Sequence, residues 1–109
     1  MDGFIDHRRS ERHGCRYPLF CSHLNSRKVY AARVVDYGER GLSFVSDTPF
    51  KCGMTLYFRS DLMGRNREAC QSCAGMRETG LVQVRWCQPI GQEPAESYRI
   101  GAEYMQPYP

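Results

Sequence analysis

From Tyr17 onward, apolar and polar residues alternate with period two in short segments, the signature of strands with one buried face. The pattern predicts strands over Tyr17–His23, Val29–Asp36, Leu42–Ser46, Met54–Arg59, Gly80–Cys87 and Tyr98–Tyr104. Tyr30, Ala32 and Val34 share one face of the second, with Arg33 on the other. Leu42 and Phe44 face inward in the third, and Met54, Leu56 and Phe58 in the fourth. The fifth is read with Val82, Val84 and Trp86 inward, the sixth with Tyr98, Ile100, Ala102 and Tyr104. Pro18 falls near a strand start, where a missing N–H is tolerated. Asn25-Ser26, Gly38 with Gly41, and Lys51-Cys52-Gly53 mark turns, and Pro89–Glu96 reads as a polar loop. No stretch has helical periodicity. Strands at this spacing, separated by Gly and Pro turns, predict an all-β fold, a small six-stranded antiparallel barrel with little or no C-terminal helix. Ser60–Thr79 shows no period and reads as a protruding hairpin, an ordered loop stapled through Cys70 and Cys73, or a mobile flap.

The length of 109 residues fits a single domain. The expected division is a flexible arginine-bearing segment at 1–16 and one barrel at 17–109. No apolar run approaches the roughly 18 residues of a membrane helix, and the charged start MDGFIDHRRSERHG is unlike a signal peptide. The expectation is a cytoplasmic protein without a membrane span.

A formal charge of +3 is too small to imply general nucleic-acid binding, but its placement matters. Thirteen of the fifteen basic residues are arginine, and Arg8, Arg9, Arg12 and Arg16 crowd before the first strand. Arginine presents a planar fork of donors that suits phosphates and guanine edges, whereas lysine is a point charge. The six cysteines are read as free thiols, with Cys21 and Cys87 as small core residues. Cys70-Gln-Ser-Cys73 is the spacing of half a zinc site or of a dithiol switch. Zinc there needs further ligands converging from Cys15, Cys52, His7, His13 or His23. Catalysis has little to build on. No carboxylate pair has a spacing that assigns acid and base, and no nucleophile elbow, P-loop or HExxH is present, so the chain reads as a binding module.

Two patterns then combine: Arg12-His13-Gly14-Cys15-Arg16, an RxxxR just before a strand, and Asp36-Tyr37-Gly38-Glu39-Arg40-Gly41 at a turn between strands. Together with Gly80–Trp86 and Tyr98–Tyr104 as late strands, they resemble the PilZ domain, a bacterial receptor for cyclic di-GMP. That family carries RxxxR in its N-terminal loop and (Asp/Asn)xSxxG at the turn between its second and third strands. The resemblance implies that Arg12, Arg16, Asp36, Gly38 and Gly41 form the nucleotide site, with Arg8 and Arg9 as additional contacts. Arg8-x-x-x-Arg12 is also an RxxxR; Arg12/Arg16 is preferred because Arg16 abuts the strand, as the family's second arginine does. The Asp36 carboxylate can accept from guanine N1–H and N2–H₂. Gly41 is expected to allow a positive φ or a close approach of the ligand to the backbone.

The chain departs from the family where Gly38 replaces serine. A lost hydroxyl hydrogen bond costs about 0.5–1.5 kcal/mol, roughly two- to tenfold in affinity. The implied function is a receptor that changes conformation on binding cyclic di-GMP and signals through a protein partner, with no cofactor, no enzymatic activity and no nucleic acid. The alternative is a PilZ-fold adaptor that no longer binds the nucleotide and acts by protein contacts alone.

Overall fold

Alternation of the kind seen along the sequence closes into a wall when each strand finds two neighbours. The computed structural model describes residues 13–14, 17–60, 77–91 and 97–105. Within them lie seven strands and no helix: β1 (His13–Gly14), β2 (Pro18–His23), β3 (Tyr30–Tyr37), β4 (Gly41–Ser46), β5 (Thr55–Ser60), β6 (Thr79–Ile90) and β7 (Ser97–Tyr104). The hydrogen-bonded order is β1-β3-β2-β5-β6-β7-β4, and a further β3–β4 pairing joins the ends into a closed antiparallel barrel of six strands with β1 appended. Closure gives each of β2 to β7 a partner on both sides over part of its length, and among the described residues the end of β6 beyond Gln83 pairs with β7 alone.

The inward set is the one the alternation predicts, with one exception treated below. Leu19, Val34, Phe44, Leu56, Phe58, Val82, Val84 and Ile100 are all essentially buried. Each such side chain contributes roughly 1.5–3 kcal/mol of burial free energy. Phe50, from the β4–β5 connection, plugs the core edge-on against Phe44, Tyr30 and His23. Cys21 is buried in this core as expected, and burial pushes its thiol up to about 12. Cys87 packs against the core, half-buried.

Two boundaries differ from the sequence reading. His13–Gly14 pairs with Tyr37 and Asp36 of β3, a short strand that two residues of sequence cannot announce. And β6 runs on to Ile90, through Pro89, where a polar loop was expected. Proline is tolerated there because β5 pairs with β6 only as far as Gln83; further on, the recorded strand partner is β7 alone, Pro89 lying opposite Tyr98. Gly91, at φ 93°, then turns the chain. Most of the aperiodic Ser60–Thr79 stretch, with Cys70 and Cys73, lies outside the described residues.

Candidate functional site

Two strands carry an extra residue, and these bulges build the site. In β3 the register shifts between Val34, opposite Phe44, and Asp36, opposite Ser43. In β6 it shifts between Val84, opposite Ala102, and Trp86, opposite Gly101. A bulge turns the residues beyond it to the other face. Trp86 is therefore not inward, as strict alternation predicts; it lies on the outer face, 40% exposed, and Cys87 takes the core side. The extra residue Arg85 leaves a carbonyl outside the ladder, and the Cys52 thiol donates to it at 3.0 Å.

With both bulges in place, Asp36, Ser43, Gly101 and Trp86 stand side by side across β3, β4, β7 and β6. At the usual strand spacing that row spans roughly 14 Å. Gly101 is the gap in it. A Cβ there would overlap Cε2, Nε1 and Cζ2 of the Trp86 indole, so the absent side chain is what lets the ring settle against the sheet. Leu42, Arg85, Arg99 and Ala102 complete the lining of an open cavity of about 320 Å³.

Polar groups in the cavity are tied to one another. The Ser43 hydroxyl donates to Asp36 Oδ1 at 2.8 Å, and Arg99 Nη2 lies 3.6 Å from Asp36 Oδ2. The Arg99 guanidinium also sits 6.0 Å from the centre of the Trp86 ring. Its Nε is buried without a hydrogen-bond partner among the described residues. A buried donor left without a partner is costly. Arg85, by contrast, is spent on Glu103, with Nε and Nη2 at 2.8 and 2.7 Å from one carboxylate oxygen.

Of the residues expected from the sequence, Asp36 lines the cavity, and Gly38 and Gly41 close the neighbouring turn, Gly38 N–H donating to the Gly41 carbonyl at 2.8 Å. The reason for Gly41 is corrected: its φ is not positive, and a Cβ would overlap the Ala102 carbonyl oxygen, so the glycine lets β4 approach β7. Arg8, Arg9, Arg12 and Arg16 lie outside the described residues. The backbone between Arg12 and Arg16 is anchored at the site, since Gly14 pairs with Asp36. Among the described residues no group of three or more His, Cys, Asp or Glu side chains could hold a metal.

Ser43, Trp86, Arg99 and Gly101 were not expected at the site from the sequence, and Trp86 was read as core. An isolated glycine inside a strand, Gly101, was the available signal, because it marks a bulge or a close approach.

No protein-family model matches the chain, and no curated protein does. Among solved structures, the PilZ domain with c-di-GMP of YcgR from Escherichia coli aligns over 94% of this chain and 81% of that one, with a TM-score of 0.62 and 16% sequence identity. At that identity the likeness is one of fold, and it is the fold that the two arginine and glycine motifs implied.

Proposed function

We propose that this PilZ-fold barrel is a receptor for cyclic di-GMP that passes the signal to a protein partner in the bacterial cytoplasm. The observation that carries the reading is the row of Asp36, Ser43, Gly101 and Trp86 lining one cavity, with a buried Arg99 donor beside it that has no partner among the described residues. The solved structure of like fold is a PilZ domain with c-di-GMP, which supports the ligand class.

A guanine brings N1–H and N2–H₂ donors on one edge, O6 and N7 acceptors on another, and a flat π-face. Asp36 accepts from the first edge. Arg99 donates to the acceptor edge or to a phosphate, and the indole of Trp86 offers a stacking surface. Arg12 and Arg16, two cations four apart on a segment tethered at His13–Gly14, close over the phosphates. Binding thereby orders the arginine-bearing segment and presents an altered face to the partner.

The glycine at position 38 is the feature that favours the non-binding adaptor. Ser43 answers it: its hydroxyl already holds Asp36 Oδ1 at 2.8 Å, so the carboxylate is oriented without a hydroxyl at position 38.

Calorimetric titration of the full chain with cyclic di-GMP tests the proposal, run beside the Arg12→Ala/Arg16→Ala variant and with GTP as control. Binding at micromolar Kd or tighter that is lost in the variant supports the receptor. Absence of heat with the unmodified chain at millimolar nucleotide favours the adaptor.

A further inference from the structure

The wall opposite the cavity has a chemistry of its own. In the closed order, β2 and β5 face β7 and β4 across the barrel. Their outward positions ought to be polar, because the inward ones already fill the core. Instead Phe20 on β2 and Tyr57 on β5 point out, joined by Val29 at the entry to β3 and Leu81 on β6. Val29 is 57% exposed and Tyr57 41%. Tyr57 stands between Ser22 and Leu81 in the strand registers, so these side chains form one continuous band. Phe20, Ser22, Val29, Tyr57 and Arg59 line a shallow groove of about 230 Å³.

Among the described residues, cations gather around the groove. Arg27 and Lys28 precede Val29, Arg33 flanks Phe20 through its pairing with Pro18, and Arg59 lies directly opposite Phe20. The strand neighbours of Arg33 and Arg59 are Pro18, Val45, Phe20 and Thr79, none of them acidic. One of the cations is held over a ring of the groove itself, Arg59 at 5.5 Å from the Phe20 centroid. It is thereby ordered before a partner arrives.

We infer that this face docks an acidic segment of a partner protein, one that alternates carboxylates with bulky apolar side chains. Carboxylates pair with Arg27, Arg33 and Arg59 at the rim, while apolar side chains bury Val29, Tyr57 and Leu81. A nucleic-acid strand fits the same charge but not the same surface. Bases stack on successive free aromatic faces, yet in this band Phe20 is already capped by Arg59, Val29 and Leu81 offer no π-face, and Tyr57 alone is left to stack on. The inference rests on the partner-binding half of the function proposed above and not on its nucleotide half.

The test is a titration of the ¹⁵N-labelled full chain with the synthetic peptide EDLFEDLFE, in parallel with KRLFKRLFK and a thymidine nonamer, with and without cyclic di-GMP. The expected result is saturable amide shifts confined to Phe20, Ser22, Val29, Tyr57 and Leu81 with the acidic peptide. Arg59→Glu should weaken that binding at least tenfold, whereas Lys51→Glu, the same charge change on another exposed turn, should leave it within twofold. Equal weakening by both variants, tighter binding of the nonamer, or no shift at millimolar acidic peptide overturns the inference. Shifts of the Trp86 and Gly101 amides on adding the nucleotide report separately on the cavity, so either reading can fail alone.

Discussion

The two sides of this barrel obey different rules. Along β2 and β5 five successive residues pair without interruption, Leu19 to His23 against Ser60 to Leu56, and every side chain faces as alternation predicts. Along β3, β4, β7 and β6 the ladder is broken twice, and Asp36 and Trp86 each stand just past a break. Both sides feed the core, Leu19, Cys21, Leu56 and Phe58 from the regular one and Val34, Phe44, Val84 and Ile100 from the broken one. The broken side gathers a carboxylate, a hydroxyl, an indole and a guanidinium around one cavity. A bulge is the means by which a strand places two chemically useful neighbours on a surface that strict alternation would have divided.

That contrast accounts for what the sequence made legible. Strand existence and the inward residues before each bulge were readable, because each rests on local period. The outward turn of Trp86 was not, since a bulge depends on which residues oppose one another across strands. For the same reason Ser43 looked like an ordinary polar position. Its partnership with Asp36 spans seven residues and a turn, and only the register brings the two within 2.8 Å. Gly41 was legible as a required glycine, but the crowding at Ala102 was not, as it comes from β7, far along the chain.

Substitutions that touch each side separately sharpen the comparison. Gly41→Ala should have the largest effect, because the overlap is with backbone that cannot turn aside. A loss of about 3 kcal/mol is expected, lowering Tm by roughly 12–24 °C in thermal denaturation. A variant of unchanged Tm that has lost only nucleotide affinity would return Gly41 to the role of ligand contact.

Trp86→Ala comes next. Loss of one base-stacking surface costs about 1–3 kcal/mol, a five- to 150-fold rise in the Kd for cyclic di-GMP, with little change in Tm because the indole is partly exposed. Gly101→Ala should reproduce part of that loss by lifting the ring off the sheet, visible as a shift in tryptophan fluorescence. If Trp86→Ala instead lowers Tm as a core deletion would, the ring belongs to the packing and not to the site.

Ser43→Ala is expected to weaken binding two- to tenfold, and Ser43→Ala combined with Gly38→Ser to recover most of it, since either hydroxyl can orient Asp36. Titration calorimetry of both variants checks this.

The smallest effect belongs to the regular side. Cys21 has its thiol raised from 9.0 to about 12 by burial, so the folded state keeps a proton that the unfolded chain gives up first. The contribution to stability is complete below about pH 9 and is lost as pH rises through about 12. By pH 10 the loss is about 1–2 kcal/mol, and Cys21→Ala should flatten that alkaline slope in urea unfolding.

The central claim is that the broken side of the barrel, and not the regular one, receives the nucleotide. Titrating the ¹⁵N-labelled full chain with cyclic di-GMP and mapping the amide and indole shifts tests it most directly. The account predicts large shifts at Asp36, Ser43, Gly101 and the Trp86 indole N–H, with the β2–β5 wall silent. Shifts centred on Phe20 and Tyr57, or none at millimolar nucleotide, would contradict it.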